Sequence, residues 1–115
     1  IEFTFNPHIL PIFRGMMSSI YCTLQSNILI EDLKDYLLNF YKNTYFVKIL
    51  ENQKERADFN LVINTNNCYI KLYNKPNDSR LIIVSIIDNL LKGASGQAIQ
   101  CFNLMNEFDE NLSLV

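Results

Sequence analysis

The sequence predicts an α+β domain in which a mixed, mostly antiparallel sheet carries helices on one face. Three observations favour this class. Apolar and polar residues alternate in several short segments, residues 28–42 have the three- and four-residue apolar spacing of an amphipathic helix, and turn residues separate two strand-like segments as in a hairpin. With 115 residues, the chain has the size of a single domain spanning residues 1–115.

Strands are predicted wherever alternation coincides with β-branched and aromatic residues. The predicted segments are 2–6, 16–25, 45–51, 61–63, 68–73 and 80–87. The last segment, RLIIVSII, is apolar on both faces, so both of its faces require cover. Two helices can cover one face of a sheet more easily than both faces. We therefore expect the other face to contact a second subunit or another domain.

The first predicted helix spans residues 28–42, with cap chemistry at Ser26 and Asn27 and with Lys42 in its last turn. The second follows the strand 80–87 and ends near Met105. It carries two glycines, Gly93 and Gly96, in its first turns, where each glycine costs about 1 kcal/mol relative to alanine. That cost indicates a close neighbour, either another backbone or a ligand at the start of the helix.

Composition and charge exclude several functional classes. The chain has 12 acidic and 10 basic residues, and no basic cluster that would favour nucleic-acid binding. No apolar run approaches the roughly 20 residues needed to cross a bilayer. The three cysteines show neither a CxxC pair nor a Cys/His cluster, which argues against a disulfide framework or a zinc site. We interpret them as reduced core residues of a cytoplasmic protein, and we expect no metal.

Four side chains are candidates for binding chemistry. Arg14 has the planar guanidinium that suits a carboxylate or phosphate, and Gly15 beside it allows a ligand close to the backbone. The alternative for Arg14 is an ion pair with a neighbouring carboxylate. Asn89 can bind a carboxamide, although either Asp88 or Asn89 can instead cap the second helix. His8 is either a general base or a structural residue of its loop.

Two motifs resemble the N-acetyl-gamma-glutamyl-phosphate reductase family. Residues 7–15 keep the pattern Pro-His-x-x-Pro-x-x-Arg-Gly, and residues 88–100 nearly keep the pattern Asp-Asn-Leu-x-Lys-Gly-Ala-x-Gln-Ala-x-Gln. The likeness covers almost the whole chain but only about the last third of the family protein. It therefore implies an incomplete C-terminal domain of the glyceraldehyde-phosphate-dehydrogenase type, from a larger two-domain enzyme whose Rossmann domain is absent here.

The resemblance implies an NADP-dependent enzyme that reduces N-acetyl-glutamyl phosphate to the semialdehyde in arginine biosynthesis. NADP would be bound mainly by the missing domain, and the domain represented here would form a homo-oligomer through its sheet. The family's catalytic cysteine and histidine lie upstream of this chain, so the resemblance implies no catalytic residue here and no activity of this chain alone.

The resemblance also suggests roles for particular residues. It implies that Arg14 and His8 bind the substrate anion, that Asn89 lies near the nicotinamide carboxamide, and that Gly93 and Ala94 let the last helix dock onto the Rossmann domain. Two alternatives stay open. One is a lysine-pathway reductase acting on carrier-bound glutamyl phosphate, and the other is a non-catalytic domain for small-molecule binding or interaction.

Overall fold

Within residues 2–25, 28–52, 54–75 and 78–115, which the computed structural model describes, four strands form one mixed sheet. The strands are β1 (Met16–Thr23), β2 (Val47–Ile49), β3 (Cys68–Asn74) and β4 (Arg80–Ile87), in the order β1-β4-β3-β2. β4 is antiparallel to both β1 and β3, and β2 is parallel to β3. The predicted α+β class, the mostly antiparallel sheet and the hairpin are confirmed.

Two α-helices accompany the sheet in the described residues. α1 (Ile30–Tyr41) packs beside β2, and α2 (Gly96–Met105) follows a π-helical turn at Leu91–Ser95. α1 begins two residues later than predicted, with Leu29 at the N-cap and no side-chain cap hydrogen bond. The predicted caps Ser26 and Asn27 lie outside the described residues. Across the described ranges, no helix is both long and apolar enough to span a membrane.

The core lies against the centre of β4. Val84 and Ile86 point to one face of the sheet and are buried against Val62, which is itself fully buried. Ala57 and Phe59 complete this cover. One face of the doubly apolar strand is thus covered partly by the segment between β2 and β3.

A buried lysine attaches that connecting segment to the sheet. Lys71 on β3 is only 4% exposed, and its Nζ donates to the backbone carbonyls of Leu50 and Asn52. Burying a charged group is costly unless it is hydrogen-bonded, so the two carbonyls stabilise Lys71 in this position. The chain leaving β2 is therefore held across the face of β3.

Two predicted strands are wrong. Residues 2–6 form no strand, and Phe3 and Phe5 are 84% and 79% exposed. Alternation gives a strand only where a neighbour completes the hydrogen bonds, and no described segment pairs with these residues. Residues 61–63 were expected to be extended, but Leu61 belongs to a 3₁₀ turn at Phe59–Leu61, and residues 62 and 63 continue as a turn. The Asp58 side chain caps that turn by accepting from the Asn60 backbone N–H at 2.9 Å.

The π-helical turn before α2 brings Gly96 against a second loop. A Cβ at Gly96 would collide with Oδ1 of Asn66, a fully buried side chain. The close neighbour expected for these glycines therefore lies within this chain, at least at Gly96. Gly93 is different, because it is exposed and a Cβ there would lie 3.4 Å from Cδ1 of Ile87, an ordinary contact.

These two glycines provide a matched test of packing. We expect Gly96→Ala to lower the free energy of unfolding by about 1–3 kcal/mol, because the added methyl group overpacks the contact with Asn66. Gly93→Ala should change stability by less than about 1 kcal/mol, in the stabilising direction, because alanine favours helix. Urea unfolding of both variants measures the difference, and equal effects would contradict the assignment of Gly96 as the close contact.

Candidate functional site

The carboxylate of Asp88 lies at the end of β4 and is completely buried. Its Oδ2 accepts from Nη1 of Arg14 at 2.7 Å and from the backbone N–H of Asn64 at 2.8 Å. Its Oδ1 accepts from the backbone N–H groups of Leu90 and Leu91 at 2.8 and 3.1 Å. One carboxylate therefore joins the Arg14 loop, the Asn64 loop and the start of the last helical segment.

These contacts determine the charge state of Asp88. Burial by itself would raise the pKa of the carboxyl group, but the hydrogen bonds from Arg14 and from the backbone of Asn64, Leu90 and Leu91 together lower it below its ordinary value. Asp88 is thus ionised at neutral pH. Asp88 therefore caps the helical segment, and it also forms the ion pair considered for Arg14.

A second hydrogen bond connects the dipeptide Arg14-Gly15 to the dipeptide Asp88-Asn89. The backbone N–H of Gly15 donates to Oδ1 of Asn89 at 2.8 Å. Gly15 has φ +116°, and a Cβ there would lie 2.6 Å from Cδ1 of Phe59, so both its conformation and its packing require glycine. Arg14 and Gly15 are therefore anchored to Asp88 and Asn89 through one side-chain contact each.

The structure brings Arg14 and Asn89 together, and both retain donors for a ligand. The Arg14 side chain is 28% exposed, and in the described ranges its Nε and Nη2 make no hydrogen bond. The Nδ2 of Asn89 likewise has no partner among those residues, while its Oδ1 is engaged by Gly15. Because only donors remain, the site suits an anion or a carbonyl oxygen. The free amide N–H of Asn89 fits the carbonyl oxygen of a carboxamide.

His8 lies apart from this pair. Its Nδ1 is 3.0 Å from the carbonyl oxygen of Asn6, two residues earlier in its own exposed loop. In the described part of the chain, it makes no hydrogen bond to Arg14 or Asn89. A contact between His8 and a substrate stays a prediction.

A buried polar cluster on α2 was not anticipated from the sequence. Gln100 accepts at Oε1 from Nδ2 of Asn66 at 3.0 Å and from Nζ of Lys92, and its Nε2 donates to Oε1 of Glu110 at 2.6 Å. Burial lowers the pKa of Lys92, against the attraction of Glu110. Asn103 adds a bond to the carbonyl of Leu112 at 2.9 Å. The C-terminal tail, for which the sequence suggested no role, is thus held against α2.

A typical surface helix buries its apolar face and exposes its polar face, but α2 does the opposite. The buried residues of α2 are Gly96, Gln100 and Asn103, at helical spacing, whereas Phe102 and Met105 are 58% and 83% exposed. This stripe of one small and two amide residues was visible in the sequence. The outward face of α2 is therefore apolar and available for contact with another surface.

The cysteines do not form a reactive or metal-binding group. Cys22 and Cys68 are partly buried, but Cys101 is exposed on α2, so the interpretation of Cys101 as a core residue is wrong. Its position opposite the buried amide stripe accounts for the exposure. Among the described residues, no group of three or more His, Cys, Asp or Glu side chains is arranged to hold a metal ion.

Comparison with known proteins gives a consistent result. Residues 1–89 match the family model described as semialdehyde dehydrogenase, dimerisation domain. The chain is 42% identical to an N-acetyl-gamma-glutamyl-phosphate reductase of Ehrlichia chaffeensis and 42% identical to one of Clostridium botulinum, each over 99% of the chain. It is 40% identical to one of Crocosphaera subtropica, also over 99% of the chain. The chain spans about a third of the length of these curated relatives (32%, 33% and 32%).

The lowered pKa of Asp88 predicts a pH dependence of stability. Asp88 binds a proton less readily in the folded protein than in the unfolded chain, so its stabilising effect is complete above the ordinary pKa of 3.8 and is lost as the pH falls through the lower folded pKa. Asp88→Asn should lower the free energy of unfolding at pH 7 by about 1.5–3 kcal/mol. The variant should also lose this part of the acid dependence. Urea unfolding at a series of pH values measures both, and parallel curves for the two proteins would contradict the prediction.

Proposed function

The chain belongs to the family of semialdehyde dehydrogenase dimerisation domains, and from that membership we propose that it is the substrate-side and dimerisation portion of an acyl-phosphate reductase. The substrate we propose is N-acetyl-gamma-glutamyl phosphate, which is reduced to the semialdehyde in arginine biosynthesis. The names of the relatives support this choice of substrate. Because the chain spans a third of their length, the rest of such an enzyme would supply the nucleophile and the acid/base group.

The pairing of Arg14 with Asp88 and of Gly15 with Asn89 is the observation that carries the proposal. It leaves only hydrogen-bond donors exposed, and an acyl phosphate of this kind offers phosphate, carboxylate and carbonyl oxygens as acceptors. Arg14 binds one of the anionic groups through its free guanidinium nitrogens. His8 shapes the same substrate-binding loop, in which its Nδ1 lies 3.0 Å from the carbonyl oxygen of Asn6.

Reduction of an acyl group to an aldehyde requires a hydride, which NADPH supplies when it is bound. In this chain Asn89 would hold the nicotinamide by donating an Nδ2 hydrogen to its carboxamide oxygen. The Oδ1 of Asn89 already accepts from Gly15, so the contact to the cofactor is assigned to its Nδ2. The three free cysteines fit a reducing compartment, and we place the enzyme in the cytoplasm.

The exposed apolar surfaces support two contacts in the complete enzyme. The outward face of α2, with Gly93 and Ala94 at its beginning, docks onto the domain that binds NADP. The sheet face opposite the one that carries Val84 and Ile86 docks onto a second subunit. It carries Ile20 and Leu72, which both lie beside Ile83 in register, and Ile20 is 50% exposed.

Arg14→Ala in the full-length protein tests the substrate site. We expect KM for N-acetyl-gamma-glutamyl phosphate to rise about tenfold or more with kcat little changed, because a hydrogen-bonded ion pair with the substrate is lost. Steady-state kinetics with NADPH oxidation as the readout measures this. Arg80→Ala is the matched control, since Arg80 pairs with Asp78 near the hairpin turn and should leave KM unchanged. Unaltered kinetics in Arg14→Ala would remove Arg14 from the substrate site.

The oligomeric state tests the sheet contact. The full-length protein should have the mass of a homo-oligomer in light scattering, and Ile20→Glu should shift it toward a monomer that binds an apolar dye. Tyr36→Glu, at a tyrosine 61% exposed on α1, should leave the mass unchanged. A wild-type monomer that binds no dye would argue against an interface on this face.

A further inference from the structure

We propose that Asp88 is a positioning residue, whose buried carboxylate fixes the guanidinium of Arg14 so that one complete edge of it faces an anionic group of the substrate. The identity of that substrate rests on the function proposed above. The positioning itself follows from the contacts of Asp88, which go beyond those needed to cap a helical segment.

The first argument is the distribution of donors around Asp88. Oδ1 binds the two backbone N–H groups that begin the helical segment, while Oδ2 binds Arg14 and Asn64. A cap requires only the first pair. The second oxygen instead joins two loops that are distant in sequence, and it sets where the guanidinium lies relative to the end of β4.

The second argument is the edge of Arg14 that remains. A guanidinium can bind an oxyanion through two parallel N–H groups, either from Nη1 and Nη2 or from Nε and Nη2. Asp88 engages Nη1 alone, at 2.7 Å. The edge formed by Nε and Nη2 is therefore intact, and neither atom has a partner in the described residues. This arrangement suits bidentate binding of a phosphate or a carboxylate.

The third argument concerns charge. Asp88 accepts from three backbone N–H groups as well as from Arg14, so its negative charge is stabilised by several dipoles and not by the guanidinium alone. Arg14 consequently keeps an attraction for a second anion. The loop cannot turn away easily, because Gly15 is bonded to Asn89 and packed against Phe59.

The test uses the full-length protein and the variant Asp88→Asn, which keeps the size of the side chain but loses its charge. We expect KM for the acyl phosphate to rise about ten- to hundredfold with kcat within about twofold of wild type, because Arg14 is no longer oriented. Added to Arg14→Ala, the same substitution should raise KM no further. Asp78→Asn is the control, because it breaks an exposed Asp–Arg pair and should leave KM unchanged.

A second variant separates positioning from folding. Asp88→Ser retains a side chain that can cap the helical segment but cannot reach Arg14, so it should raise KM as Asp88→Asn does while losing less thermal stability. An unchanged KM in either folded variant, or an additive rise in the double variant with Arg14→Ala, would overturn the proposal.

Binding of inorganic phosphate, measured by titration calorimetry, separates this proposal from the proposed function. Weaker phosphate binding in both Asp88 variants supports the positioning role even if the wild-type protein does not reduce the acyl phosphate. Phosphate binding that is equal in wild type and variants would overturn it.

Discussion

The structure depends on one buried carboxylate. Asp88 is fully desolvated, and a charged group in that position is tolerated only when hydrogen bonds replace its water. Its donors come from the Arg14 loop, the Asn64 loop and the first helical turn after β4, so these three segments must be in place for the charge to be stable. The requirement acts in both directions, because without the carboxylate these segments would lose their common acceptor.

A second constraint sets the orientation of α2. Gln100 and Asn103 are buried among polar partners, and Gly96 allows the helix to approach Asn66. Since one face of the helix is occupied by amides, its aromatic and aliphatic residues have to face outward. The same residues that attach the tail to the helix therefore also create its apolar outer surface. That outer surface is the part of α2 open to contact with another surface.

The sequence predicted those parts of the fold whose partners lie within the chain. β4 pairs with both β1 and β3, and the sequence pattern located each of these three strands to within two residues. Residues 2–6 have the same alternation without a partner, and Asp58 redirects residues 59–63 into a turn by a local hydrogen bond. In the candidate site, residue chemistry suggested Arg14 and Asn89, and the structure attaches the Arg14 loop to Asp88 and Asn89 at the end of β4. Arg14 and Asp88 are 74 positions apart in the sequence, and the spacing of apolar residues gives no information on contacts between such distant residues.

The two oxygens of Asp88 also link the two surfaces of the domain. Oδ1 holds the helical segment that leads into α2, whose outer face is apolar, and Oδ2 holds Arg14, whose Nε and Nη2 have no partner in the described residues. The start of that helical segment and the guanidinium of Arg14 are therefore joined through a single side chain. Because Gly15 also donates to Asn89, two hydrogen bonds attach the Arg14 loop to the residues that begin the segment.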